Sequence, residues 1–478
     1  MYNYRLSILV LISAALITIS LFISQPLRAS TKELETNNLP IVLDPSLKVE
    51  VVVKGLDKPT QMAFLGNDDF LVLEKNQGTV RRVINNTLLN EPVIDVKVAT
   101  AIERGLLGLA ISKNHYASDN KSNAENNNST KIFLFFTESK EDGNDHCPHI
   151  TYCVPGNDPL GNRLYSYDLE GNHAVNPHLL LDLPATPGAD HIGGVIKIGP
   201  DKNLYLVSGD GDSCADISSN YKMIYRCKGN NLEGSVLKSQ TSNIHNGSFP
   251  TGRGGILRIT QDGDVVGNPI LGNKDPLDKY YAYGIRNSFG MDFDPITGKL
   301  WDTENGAGFG DEINLVEPGF NSGWLKIQGM WPVPDYNPAP NHNGYFYKDL
   351  KFNAHDLVDF NGKGIYSDPE LVWNETTGPT ALLFFNSDKL GRQYENDLFV
   401  GDVDFGRIYH FELNKDRTGL DLHGVLADKI VNNRNEIQDT IFAKQFGKIT
   451  DMRVGPDGYL YVLSYVDGTV YRIVPNAK

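Results

Sequence analysis

The sequence predicts an all-β fold, a six-bladed β-propeller of four-stranded antiparallel blades. Three observations predict it. One strand–turn–strand phrase recurs along the chain, the signature of a repeat architecture. The 46 Gly and 25 Pro among 478 residues are scattered, which suits many turns and few long helices. The recurring units alternate apolar and polar residues with period two and show no helical periodicity.

The first unit begins at Met62 with M-A-F-L-G-N-D-D-F-L-V-L-E-K-N-Q-G-T-V-R-R-V. The second has G-L-A-I-S from Gly108, I-F-L-F-F-T from Ile132 and R-L-Y-S-Y-D from Arg163. The third runs V-I-K-I-G-P-D-K-N-L-Y-L-V-S-G-D-G-D from Val195, its third strand delayed to Gly254–Ile259. The fourth is M-D-F-D-P-I-T-G-K-L-W-D-T-E-N-G from Met291, followed by E-I-N-L-V at Glu312. The fifth places A-L-L-F-F at Ala381, D-L-F-V-G-D at Asp397 and R-I-Y-H-F-E at Arg407. The sixth is the plainest: D-M-R-V-G-P-D-G-Y-L-Y-V-L-S-Y-V-D-G-T-V-Y-R-I-V, Asp451 to Val474, with Pro-Asp-Gly and Asp-Gly turns between three strands. A less regular fourth strand fills each unit; Y-Y-A-Y-G from Tyr280 is an instance. A pair of β-sandwiches accounts for the strands equally well, but not for the recurrence of one phrase.

The geometry of such a disc sorts the turns. Antiparallel strands put successive turns on alternate faces. The Gly-Pro-Asp-Gly turns join the innermost strand to the next and mark one face. Residues just ahead of an innermost strand lie on the other face, at the axis. His191, Arg286, Asn287 and Lys448 are so placed.

The rest of the composition bounds the setting. Net charge is −15, which argues against nucleic acid, whose phosphates need a basic face. An uncharged apolar run spans Leu6 to Ile23, readable as a secretory signal or a membrane anchor. The four cysteines, Cys147, Cys153, Cys214 and Cys227, form two close pairs without C-x-x-C spacing and suit local disulfides. The expected organisation is a signal or anchor over 1–30, a linker over 31–48 and a propeller over 49–478. The expected location is extracellular, secreted or held at the outer face of the membrane.

Two stretches could carry chemistry. His191 could act as a general base, or simply bond a loop. The turn E-N-G-A-G-F-G-D-E-I-N-L, from Glu304, offers the carbonyls of Gly306 and Ala307 and the carboxylates of Asp311 and Glu312. A hard cation such as Ca²⁺ takes such oxygens, although a glycine-rich turn with a solvated acidic end fits the pattern too. D-G-D-S-C-A-D, from Asp210, lacks the later glutamate of an EF-hand loop and reads as a disulfide-held turn.

Five phrases make the chain resemble the soluble glucose/sorbosone dehydrogenase family: R-G-L-L-G-L-A from Arg104, D-H-I-G-G-V-I-K-I-G-P-D from Asp190, G-I-R-N-S-F-G-M from Gly284, the Glu304 turn, and N-S-G-W at Asn321. In order and spacing they cover about Lys54 to Val474. The resemblance implies a six-bladed propeller that oxidises an aldose sugar at C1, passing hydride to pyrroloquinoline quinone (PQQ) with Ca²⁺ assisting. It implies that His191 is the catalytic base. Arg286 and Asn287 would hold the cofactor, Arg286 also stabilising charge on its reduced carbonyls. Gly306, Ala307 and Glu312 match the calcium loop, with Asp311 adjacent. Lys448 and Thr450 fall at further cofactor-binding positions. Where the resemblance implies three cations for the three carboxylates of PQQ, this sequence has Asp404, Lys448 and Thr450, with Arg407 and Arg453 as nearby substitutes. Ser322 stands where a tyrosine is often found. The partners implied are a small-molecule sugar and an electron acceptor the sequence does not name. Two other functions fit the same residues: a non-catalytic extracellular propeller binding carbohydrate or protein after loss of the quinone, and a Ca²⁺-dependent lactonase or hydrolase.

Overall fold

Each recurring phrase forms a sheet because its alternate residues have somewhere dry to go. In the last unit, Leu460–Ser464 is buried along its whole length. It pairs on one side with Ile449–Val454 and on the other with Thr469–Pro475, both antiparallel. The structure, a computed structural model, describes residues 39–113, 130–140, 159–185, 188–211, 215–217, 223–225, 243, 250–306, 308–324, 327–330 and 357–476. Two compact units divide the chain, 1–39 and 40–478. The first lies outside the described residues except for Leu39. So do the apolar run 6–23, the four cysteines and Ala307.

The second unit is an all-β propeller. Its described residues form six sheets of four to six strands and one two-stranded ribbon. The innermost strands are Pro59–Gly66, Leu106–Lys113, Gly193–Ile198, Ser288–Phe293, Pro379–Phe384 and Ile449–Val454. Each packs beside the next, and the last returns to the first. The delayed third strand of the third sheet is observed at Gly255–Ile259 and its fourth at Tyr280–Tyr283. Helix is confined, among the described residues, to short 3-10 turns such as Leu277–Lys279 and Gln438–Thr440. No helix there is long and apolar enough to cross a membrane.

The core lies between sheets rather than in one central mass. Among the described residues, buried apolar side chains gather into six clusters, each drawn from two neighbouring sheets. Phe399 and Ile408 of one sheet, for example, meet Met452, Leu460 and Val462 of the next. Another joins Met62, Phe70 and Val72 to Tyr461, Leu463 and Val470. Each such side chain contributes roughly 1.5–3 kcal/mol on leaving water.

The ring closes through the N-terminal strand. Leu47–Lys54 pairs antiparallel with Thr469–Pro475, so both ends of the unit share one sheet. Ile41–Val42 pairs with Lys444 and Ala443 in the sheet before it. These strands correct the linker expected over 31–48, since the chain is already in sheets from Ile41.

A cavity of about 240 Å³ opens on the axis. All six innermost strands wall it, through Gln61, Leu107, Val195, Phe289, Thr380 and Thr450.

Candidate active site

His191 sits one turn ahead of the strand Gly193–Ile198, with a positive φ of 53° that few non-glycine residues adopt. Its neighbours hold it there. Gly209 N donates to Ile192 O and Gly211 N to His191 O. Gly209 must be glycine for this approach, because a Cβ there would stand 2.2 Å from the His191 carbonyl oxygen. His191 Nδ1 lies 2.6 Å from Asp210 Oδ1, and both residues are buried. The carboxylate accepts the Nδ1 proton, which leaves the lone pair on Nε2. Burial pushes the imidazole pKa down, as does the charge of Arg286. Asp210, by charge and hydrogen bond, and Glu103 by charge outweigh them, so the pKa lies above its ordinary value.

Asp210 is the hub that the sequence did not single out. Its second oxygen accepts Trp324 Nε1 at 2.6 Å, and its backbone N–H donates to Arg286 O at 2.8 Å. The Arg286 guanidinium stands over the Trp324 ring, 5.5 Å from its centroid. His191 and Arg286, 95 residues apart by numbering, are thus tied together through two shared partners. Asn287 joins them from the same turn. Its Nδ2 donates to both oxygens of Glu103, at 3.2 and 3.1 Å, and Ile192 N donates to Glu103 Oε2. Asn287 Oδ1 and Arg286 Nε are buried without a hydrogen-bond partner. A ligand group would satisfy both.

The Glu304 turn is built differently from expectation. Asp311 Oδ1 accepts Gly306 N, and its Oδ2 accepts Thr377 N and Gly378 N. It fastens two loops together and is not free to ligate. Gly306 O accepts Arg286 Nη1 at 3.1 Å, beside Asn305 O at 2.7 Å. A guanidinium therefore sits where Gly306 was expected to face a metal. Glu312 is different. It is buried beside Glu304, directly across the sheet, and Ser322 Oγ reaches both carboxylates, at 2.6 Å to Glu304 and 3.3 Å to Glu312. Asp302 lies two residues back from Glu304 along the same strand, fully buried and facing the side chains of Asn314 and Ser288. Burial pushes Glu312 up to about 8 and Asp302 up to about 7; burial, with Glu312 as the next cause, raises Glu304 as well. Among the described residues, no three acidic, His or Cys side chains converge as metal ligands. Yet three desolvated carboxylates on one sheet are the chemistry a hard cation relieves. A cation here would meet Glu304, Glu312 and Ser322, whereas Gly306 O and the Asp311 carboxylate are already bonded to Arg286 and to backbone N–H groups.

The axial cavity adjoins His191 through Glu103, which lines it with Lys75, Lys448, Thr450 and Tyr465. Lys448 and Thr450 are therefore brought to one wall, although the Thr450 hydroxyl is spent on Pro59 O at 2.8 Å. Asp404 is exposed beside Gly378 and is not in that wall. The proposed substitutes do not reach it. Arg453 pairs with Asp451 at 2.9 Å, and Arg407 lies over the Phe405 ring. Lys75, from the turn after Asp69–Glu74, is a second ammonium in the wall that sequence comparison by position does not find. PQQ is planar and triply carboxylated, and a wall with the lysines Lys75 and Lys448 and the threonines Thr60, Thr380 and Thr450 suits it.

A family model described as Glucose / Sorbosone dehydrogenase matches residues 56–472. The chain is 24% identical to quinoprotein glucose dehydrogenase B of Acinetobacter calcoaceticus, over 99% of this chain and 95% of that one. It is 27% identical to the aldose sugar dehydrogenase of Escherichia coli over 47% of this chain and 52% of that one. The fold is shared with the PQQ-bound aldose sugar dehydrogenase of Streptomyces coelicolor, at a TM-score of 0.54 and 21% identity over 90% of this chain and 99% of that one.

Proposed function

Because the chain belongs to the glucose/sorbosone dehydrogenase family, we propose that it is a quinoprotein that oxidises an aldose sugar at C1. The observation that carries this is the linked set His191–Asp210–Trp324–Arg286 beside the axial cavity, whose wall includes Glu103, the acceptor of Ile192 N and Asn287 Nδ2. PQQ bound there would supply the hydride acceptor. Lys448 and Arg286 would hold it. His191 Nε2 takes the proton of the anomeric hydroxyl while Asp210 keeps the ring in the required tautomer and stabilises the imidazolium that forms. Glu103 and Asn287 offer an acceptor and an amide to the sugar's hydroxyls. Trp324 keeps Asp210 from swinging away and gives the Arg286 guanidinium a face to rest on.

On the same proposal six blades surround the cavity, since six innermost strands wall it. Calcium would be held by Glu304 and Glu312, where it would neutralise buried charge beneath Arg286. The apolar run 6–23 supports export or anchoring at the outer face of the membrane, with the propeller outside the cytosol.

The test is a dye-coupled assay of purified protein loaded with PQQ, with and without Ca²⁺, across a panel of aldoses. Sugar-dependent dye reduction that requires PQQ is expected. Tight quinone binding with no turnover on any aldose would overturn the reaction.

A further inference from the structure

We propose that Gln61 is a ligand-binding residue of the axial cavity, its side-chain amide donating a hydrogen bond to a carboxylate of the bound molecule. The proposal rests on the quinone function proposed above. Gln61 stands one residue ahead of the first recurring phrase and outside the motifs that carry the family resemblance.

Its position follows from how the innermost strands end the sheets. Such a strand has a partner strand on one edge only, and the N–H groups on its other edge need acceptors from elsewhere. Met62 N donates to Asp451 Oδ2 at 2.9 Å, and Phe384 N to Asp292 Oδ2 at 3.0 Å. Both of those carboxylates are paired with cations, Arg453 and Lys197. Leu109 N, on the innermost strand Leu106–Lys113, meets a neutral group instead, Gln61 Oε1 at 2.7 Å.

That bond fixes which way the amide faces. A backbone N–H only donates, so the atom it meets is the amide oxygen and the NH₂ group takes the other arm. Gln61 is 5% exposed and lines the cavity. Among the described residues its Nε2 has no hydrogen-bond partner, and it is not sealed from solvent. Other neutral groups of the wall are placed differently. The hydroxyl protons of Thr60, Thr380 and Thr450 go to Leu106 O, Ile449 O and Pro59 O, at 2.9, 2.6 and 2.8 Å. The Tyr465 hydroxyl can turn, and it accepts as well as donates. Gln61 thus offers the cavity a donor with its direction already set. A carboxylate, which only accepts, matches an arm that only donates better than a hydroxyl does. An amide held at one end also loses little further entropy on binding.

Equilibrium dialysis measures the contact without relying on turnover. The probes are PQQ and benzene-1,3,5-tricarboxylate, which is planar and triply carboxylated but no quinone. Gln61→Glu keeps an oxygen for Leu109 N and replaces the NH₂ group with a second acceptor. It should melt within a few degrees of wild type and bind PQQ about 10- to 100-fold more weakly, the loss of a hydrogen bond to a charged group. Gln61→Met removes both arms without adding charge. It should melt lower, because Leu109 N loses its acceptor, and bind PQQ at least about 10-fold more weakly. A role confined to the strand edge predicts the drop in melting temperature for Gln61→Met with PQQ affinity unchanged in both variants. If Gln61→Met does not fold, Gln61→Glu carries the test.

Wild-type PQQ affinity in folded Gln61→Met, or in Gln61→Glu where that variant carries the test, overturns the contact and leaves the quinone function standing. Gln61-dependent binding of the tricarboxylate with none of PQQ supports the contact and overturns the quinone function. Binding of neither probe by wild type overturns both.

Discussion

His191 and Asp210 set the chemistry at the scale of single residues. The imidazole is protonated to a higher pH than a free one, because Asp210 and Glu103 outweigh burial and Arg286. The base form, and with it kcat, should therefore rise as pH climbs through a value above the ordinary imidazole pKa. Asp210→Asn removes the main raising partner and leaves Glu103 alone against burial and Arg286, which both lower the pKa. Its activity limb should move to lower pH while kcat falls; an unmoved limb would show that Asp210 does not govern the base. Asp210→Asn is the positioning test, and His191→Gln is the catalytic one. The latter should cut turnover by about 10²–10⁴-fold with PQQ affinity kept, as read by rapid kinetics and dialysis on the same protein. His191, Arg286 and Asn287 were legible because each stands in a distinctive phrase just ahead of an innermost strand. Asp210 was not, because D-G-D before a cysteine has the composition of a metal loop or a stapled turn. Glu103 and Lys75 escaped for another reason: their place at the cavity depends on loops from the first and second sheets meeting in space.

At the scale of elements, the strands fix how closely two turns approach. Gly209→Ala would drive a methyl into the His191 carbonyl and against Asn287 Oδ1, 3.0 Å from the added carbon. Overpacking of that kind costs about 1–3 kcal/mol. The variant should melt several degrees lower and lose more activity than the drop in stability accounts for; unchanged kcat would mean the turn does not place the base. The Glu304 turn makes the complementary case. Its expected ligands Gly306 and Asp311 were read from composition, which cannot tell a carbonyl facing a metal from one facing a guanidinium. Glu312 was legible as an acid but not as the partner of Glu304, because cross-strand register is set by pairing and not by sequence spacing. Calcium should raise the unfolding temperature of wild type by a few degrees at saturating concentration, and Glu312→Gln should abolish the gain. Calorimetry that shows no calcium response in wild type would remove Glu304 and Glu312 as a cation site.

For the whole molecule, the recurrence of one phrase made the architecture readable before any contact was known. The Pro-Asp-Gly and Asp-Gly turns of Asp451–Val474 define three strands of a sheet unaided. The closing strand was not readable, since Leu47–Lys54 belongs to a sheet whose other members lie more than 390 residues later by numbering. Its apolar residues, Leu47, Val49, Val52 and Val53, enter two of the inter-sheet clusters. Removing residues 1–54 should cost on the order of 5–10 kcal/mol by their burial alone. That is comparable with the whole stability of an ordinary domain. The truncated protein should lose its cooperative thermal transition, and a sharp transition near the full-length temperature would show that closure is dispensable.

The central claim is that one site takes a proton at His191 while hydride leaves C1 of a sugar. Single-turnover reduction of PQQ bound to the protein, followed by absorbance with C1-deuterated and ordinary aldose, tests it most directly. Reduction by the sugar should slow several-fold with deuterium in wild type and by a further two or more orders of magnitude in His191→Gln. Bound quinone that is reduced at the same rate by both sugars and by both proteins would contradict the account.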